Sequence, residues 1–186
     1  METVRAFLAL EVSREVKRKI MELQNEIAGS GADVKLVGEE NMHVTLKFLG
    51  DIDETTVGKV ANAMGAVRSE AFLLEVAGAG AFPNARMPRV LWVGAGSGSD
   101  KVSNIAKQLE AELTKLGFPR EREFTPHITV GRVRSARNAA ALAGILQRYR
   151  DASYGSTAVD RIVLKRSVLT PSGPIYSDIG DVRLGQ

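Results

Sequence analysis

The sequence predicts an α+β fold of two similar lobes, each a mainly antiparallel sheet with helices on one face, related by a pseudo-twofold axis. Three observations predict it. Strand-like and helix-like stretches alternate along all 186 residues. The order strand–helix–strand–helix–strand occurs twice. The second occurrence follows the first at a nearly constant offset, which is 84 for the two histidines, His43 and His127.

Val4 to Leu10 is short, apolar and bounded by Glu11, as a strand would be. Ser13 stands at an N-cap position, and Val16, Ile20, Leu23 and Ile27 follow at helical spacing until Gly29. Met42 to Leu49 alternates: Met42, Val44, Leu46 and Phe48 fall on one face, with His43, Thr45 and Lys47 on the other, before a Gly50-Asp51 turn. Val57, Val60, Met64 and Val67 mark a second helix, and Phe72 to about Phe82 a further strand. The order then repeats. Arg89 to Val93 is strand-like, Gly94 to Ser99 is a turn, and Val102, Ile105, Leu109, Leu113 and Leu116 form a helix stopped by Gly117. Pro126 to Val130 alternates like its counterpart, Leu142, Ile145 and Tyr149 mark a helix, and Thr157 to Leu169 reads as one long strand. Pro174 to Arg183 adds a last strand. No linker divides the halves, so residues 1–186 read as a single bilobal domain of two interleaved repeats, roughly 1–82 and 83–186.

Composition narrows the chemistry. With no cysteine there is no disulfide, thiolate nucleophile or Cys-ligated metal. With two histidines, imidazole chemistry must use His43, His127 or both. A net charge of +3 does not by itself announce a polyanion partner. The charge is uneven, however: residues 1–93 carry 11 basic and 13 acidic groups, and residues 94–186 carry 14 and 9. The excess, a modest one, lies in the half holding His127, Arg132, Arg134 and Arg137. The start lacks the basic-then-apolar layout of a secretory signal, and no apolar run reaches the roughly 18 residues of a membrane span. The expectation is a cytoplasmic protein with no membrane partner.

Both histidines stand in the same setting. Residues i and i+2 of a strand share a face, so His43 with Thr45, and His127 with Thr129, are side-by-side polar pairs. Thr supplies 9 of 186 residues, so Thr at +2 after both histidines by chance is roughly a 0.2% event. The chemistry explains the pairing. Imidazole titrates near neutrality, so one copy can act as base and the other as acid at one pH. If the axis brings the strands together, the two rings flank one phosphorus atom, and the threonine hydroxyls donate to its non-bridging oxygens. Symmetry of pattern leaves open which histidine is which. A metal site is disfavoured, because neither strand carries a carboxylate on the histidine face.

At this point His43-Val44-Thr45-Leu46-Lys47-Phe48-Leu49-Gly50 and Pro126-His127-Ile128-Thr129-Val130-Gly131-Arg132 resemble the paired H-x-T-x motifs of the 2H phosphoesterase superfamily. They resemble most its RNA 2',3'-cyclic phosphodiesterase branch, also called 2'-5' RNA ligases. The resemblance extends through Arg5-Ala6-Phe7, Gly80-Ala81-Phe82-Pro83, Arg89-Val90-Leu91-Trp92 and Leu164-Lys165-Arg166-Ser167. It implies a bilobal fold with the motifs facing across a central cleft, and hydrolysis of an RNA 2',3'-cyclic phosphate to a 2'-phosphomonoester without metal or other cofactor. It also implies His43 as proton donor and His127 as acceptor. The implied partner is RNA with a cyclic phosphate end, tRNA fragments among the candidates, and the protein is expected to act as a monomer. The alternative from another class is an RNA-end or nucleotide-binding module without turnover.

Other features carry less. Arg132, after Gly131, is a candidate to hold a phosphate oxygen bidentately. Lys47 shares the predicted face of His43 and is a solubilising side chain or an RNA-backbone contact. Gly94-Ala95-Gly96-Ser97-Gly98-Ser99 fails the dinucleotide fingerprint and reads as a turn with Ser99 as N-cap. Arg120-Glu121-Arg122-Glu123 cancels its own charge and reads as a solvated loop. Phe48, Phe82, Trp92, Phe124 and Tyr176 include base-stacking candidates, although Phe48 and Trp92 stand in core-like patterns.

Overall fold

The computed structural model describes residues 2–185. In chain order the elements are β1 (Thr3–Leu10), α1 (Arg14–Gly29), β2 (Val34–Leu36), a 3-10 turn (Glu39–Asn41), β3 (Val44–Asp53), α2 (Glu54–Gly65) and β4 (Phe72–Phe82). There follow β5 (Val90–Ala95), α3 (Ser99–Lys115), β6 (His127–Val133), α4 (Ala139–Arg148), β7 (Ser153–Val159), β8 (Arg161–Thr170) and β9 (Gly173–Arg183). Ser13 caps α1, its side chain accepting from Val16 N–H at 3.3 Å, and Asp53 caps α2 through Thr56 N–H at 2.7 Å. Each cap satisfies an N–H that the helix itself leaves unpaired.

The strands order as β7-β4-β5-β6-β3-β1-β8-β9, every pair antiparallel, with β2 added to β6. The centre is weak: β3 and β6 pair only through Val44↔Ile128, residues 84 apart. On either side the sheet is continuous, β4 to β7 forming one lobe and β1, β3, β8 and β9 the other. Helices cross between them. α1, which follows β1, packs on β7, β6 and α4 in the opposite lobe, whereas α3, which follows β5, packs on β3 and α2. The helix stripes Val16, Ile20, Leu23, Ile27 and Val102, Ile105, Leu109, Leu113 are fully buried, joining the sheet's apolar face in a single core.

Three local expectations are corrected. The strand predicted over Thr157–Leu169 is two strands. β7 pairs with β4 and β8 with β1, so the chain passes from one lobe to the other at Asp160. The cap of α3 is Gly98 at φ +89°, not Ser99, and a Cβ there would clash with the Leu73 carbonyl, so a glycine is required. The third concerns Lys47 and Phe48. β3 pairs Leu8 with Lys47 but Ala9 with Thr45, so Leu46 is an extra, bulged residue. An extra residue reverses the alternation beyond it. Lys47 therefore turns inward, 4% exposed, and Phe48, expected in the core, emerges on the histidine face at 63%.

Candidate active site

β6 carries the same bulge. It pairs Leu91 with Gly131 but Trp92 with Thr129, leaving Val130 extra, and Val130 is 84 residues after Leu46. The reversal brings Arg132 to the face of His127 and Thr129, as it brings Phe48 to the face of His43 and Thr45. All six side chains line one cavity of about 460 Å³ at the junction of β3 and β6. Val44 pairs antiparallel with Ile128, a register that sets His43 opposite Thr129 and Thr45 opposite His127. A larger groove of about 900 Å³, along α3 and Arg120–Phe124, holds neither histidine.

The two imidazoles are held alike but lie in different surroundings. His127 Nδ1 lies 2.7 Å from the Thr125 carbonyl, which only accepts, so Nδ1 carries the hydrogen and Nε2 is left for a ligand. His43 likewise has a backbone hydrogen bond with the residue two before it, Asn41. The Phe7 and Tyr176 rings lie against His43, with centroids at 4.9 and 5.3 Å, whereas Phe82 meets His127 edge-on at 5.1 Å. Burial, and then the charges of Lys165 and Lys17, push His43 down to about 4 despite the Asn41 bond. Lys165 is itself held between Glu11 and Asp178.

Supports come from residues with no visible motif. Gln24, a buried amide on α1, donates to the Val37 carbonyl at 2.8 Å and the Val130 carbonyl at 2.9 Å, fastening the point where β6 leaves β3. Lys47 donates to both Glu110 oxygens, at 3.2 and 3.0 Å, and to the Pro119 carbonyl at 2.7 Å, with Glu121 at 3.6 Å. The segment expected to be a solvated loop is thereby anchored, and it leads into Thr125 and His127. Trp92 lies across the space a Cβ at Gly80 would fill and packs on Phe82 at 5.3 Å, backing His127. Lys47 is thus no RNA contact. Lys35 and Asn41, which the sequence reading passed over, also line the cavity.

Among the described residues no three metal-ligating side chains converge, and the cavity's one carboxylate is Glu40. Among the described residues, too, no helix is long and apolar enough to cross a membrane.

The model of the LigT-like phosphoesterases matches the chain twice, over residues 10–92 and 93–176. The chain belongs to this family. The LigT-like phosphoesterase described here is 39% identical to the RNA 2',3'-cyclic phosphodiesterase of Methanothermobacter thermautotrophicus over 183 residues, covering 97% of this chain and 99% of the relative. It is also 39% identical to the protein of that name from Aeropyrum pernix over 166 residues, 89% of this chain and 94% of the relative. Its fold is that of Escherichia coli LigT, with a TM-score of 0.80 at 24% identity over the whole of both chains. A Thermus thermophilus structure aligns equally well, at TM-score 0.80 and 26% identity over 96% of this chain and 97% of that one. The two family matches divide this LigT-like phosphoesterase between Trp92 and Val93, so each contains one H-x-T dyad.

Proposed function

We propose that the protein hydrolyses RNA 2',3'-cyclic phosphate ends to 2'-phosphomonoesters by paired-histidine acid–base catalysis, without a metal. The observation that carries this reading is the meeting of both H-x-T dyads in one cavity across Val44↔Ile128. The names of the relatives support the substrate class.

His127, with Nδ1–H engaged by Thr125, offers the Nε2 lone pair to a water. That water attacks phosphorus as its proton passes to Nε2. The P–O3' bond breaks opposite the new P–O bond, and His43 gives its proton to the departing 3' oxygen. Thr45 and Thr129 donate to the non-bridging oxygens, where charge builds in the transition state, and Arg132 holds a phosphate oxygen. In the protein alone His43 is neutral at pH 7, because its pKa lies near 4. The donor role therefore depends on the substrate: a phosphodiester anion beside His43 favours the imidazolium and raises its pKa. The same steps with a 5'-hydroxyl in place of water join it to a 2',3'-cyclic end through a 2'-5' link, the P–O3' bond again breaking as His43 protonates the 3' oxygen. Residues 1–186 act in this reading as one catalytic domain whose repeats, 1–82 and 83–186, each supply a dyad. tRNA fragments are natural candidates among RNAs with such ends.

The test is incubation with a short RNA ending in 2',3'-cyclic phosphate, with and without a chelator, followed by mapping of the product phosphate. A 2'-phosphate formed equally in both is the expected result. Loss of activity with chelator sinks the metal-free mechanism, and binding without turnover makes the protein a recognition module instead.

A further inference from the structure

The cavity has two unlike rims. Phe48 and Ile175, both exposed and apolar, stand on one. On the other, β2 and β6 run antiparallel with Lys35 directly opposite Arg132, so the two cationic side chains leave the same face. Both line the cavity. Lys35 Nζ reaches the β8–β9 turn of the other lobe, 4.0 Å from where a Cβ on Gly173 would lie. Among the described residues neither Lys35 nor Arg132 forms an ion pair. Glu40 is turned back onto Gly38.

Like charges directly opposite one another destabilise a sheet, and an anion between them removes that cost. The pseudo-symmetry sharpens the point. The position 84 residues after Lys35 is Pro119, in no strand, so the cation pair is an addition to one side of an otherwise repeated site. A cyclic phosphate between the histidines carries a single charge, which the dyads and one arginine already meet. A second cation on the same rim calls for a second phosphate.

We propose that Lys35, beside Arg132, holds the phosphodiester on the 5' side of the terminal nucleoside. This rests on the hydrolase reading above and specifies its substrate: an RNA end of at least two nucleotides rather than a cyclic mononucleotide. Exposed Arg134, just past the end of β6, continues the basic rim away from the cavity.

The experiment compares a dinucleotide ending in 2',3'-cyclic phosphate with the matching nucleoside 2',3'-cyclic phosphate, which bears a 5'-hydroxyl. Wild-type kcat/KM should favour the dinucleotide by roughly tenfold. Lys35→Gln should reduce that ratio roughly five- to tenfold, mainly through KM, and Lys35→Arg should restore it. Equal effects on the two substrates, or none on either, overturn the proposal. Fluorescence anisotropy with the labelled dinucleotide and nucleoside 2'-phosphate products, at two salt concentrations, separates this inference from the reaction itself. A Lys35-dependent preference for the dinucleotide product without turnover keeps the phosphate site and sinks the hydrolase. Absence of any preference sinks the site whether or not turnover occurs.

Discussion

His43 and His127 share a motif but not an environment, and the difference gives each its own measurable behaviour. His43→Ala and His127→Ala should each lower kcat by roughly 10²–10⁴-fold, the usual cost of removing a general acid or base. A near-wild-type rate for either variant in steady-state hydrolysis refutes the paired mechanism. His43 also couples folding to pH. Its pKa falls from the ordinary 6.5 to about 4 in the folded chain, so between those values the unfolded chain binds a proton that the native one does not. Stability is therefore full above pH 6.5 and declines as the pH falls toward 4, by about 3 kcal/mol for this group. Urea titrations at pH 7 and 4.5 should show the decline, and His43→Asn should remove most of that component. An unchanged pH slope in the variant contradicts the assignment. The dyads themselves were legible in the letters because their i, i+2 spacing is local. Lys35 was not, since nothing in the sequence says that a three-residue strand will set it opposite Arg132.

At the scale of elements, most strands and helices were readable from periodicity, and the failures have a common cause. A bulge is a difference in pairing with a neighbouring strand, so Leu46 and Val130 look like ordinary members of an alternating run until β1 and β5 are beside them. Lys47 and Phe48 were consequently assigned to each other's faces. The same reasoning explains the missed break at Asp160, where the partner changes while the composition stays strand-like. Two variants test these joints. Lys47→Met leaves Glu110 and the Pro119 carbonyl without their cation and should cost about 3 kcal/mol, near the low end for a buried pair because Glu121 keeps its access to water. Gln24→Leu removes the side-chain donor to the Val37 carbonyl and one of the two donors to the Val130 carbonyl, which keeps Val37 N–H, and should cost about 1 kcal/mol. Chemical denaturation measures both, and a variant as stable as wild type shows that the contact in question does not hold its strand.

The whole molecule is more interdependent than two sequence repeats suggest. The lobe containing β1 and β3 is completed by β8 and β9 from the far end of the chain, and α1 and α3 each cover the lobe opposite to their own preceding strand. Neither half closes its own core. Unfolding should therefore be a single cooperative transition, with tryptophan fluorescence from Trp92 in one lobe coinciding with far-UV circular dichroism from both. Residues 1–82 expressed alone should lack cooperative unfolding. Two separated transitions would show that the lobes are independent folding units.

The paired bulges reach further than packing. Two identical half-sites would accept a substrate in two poses related by the axis, and either histidine could then serve as donor. The bulges deliver side chains from equivalent positions, but one is the Phe48 ring and the other the Arg132 guanidinium, so the two poses differ in energy. Lys35 and the unlike surroundings of the two histidines add to that difference. In the hydrolase reading the mismatch favours one orientation of the cyclic end, and with it one division of labour between the histidines.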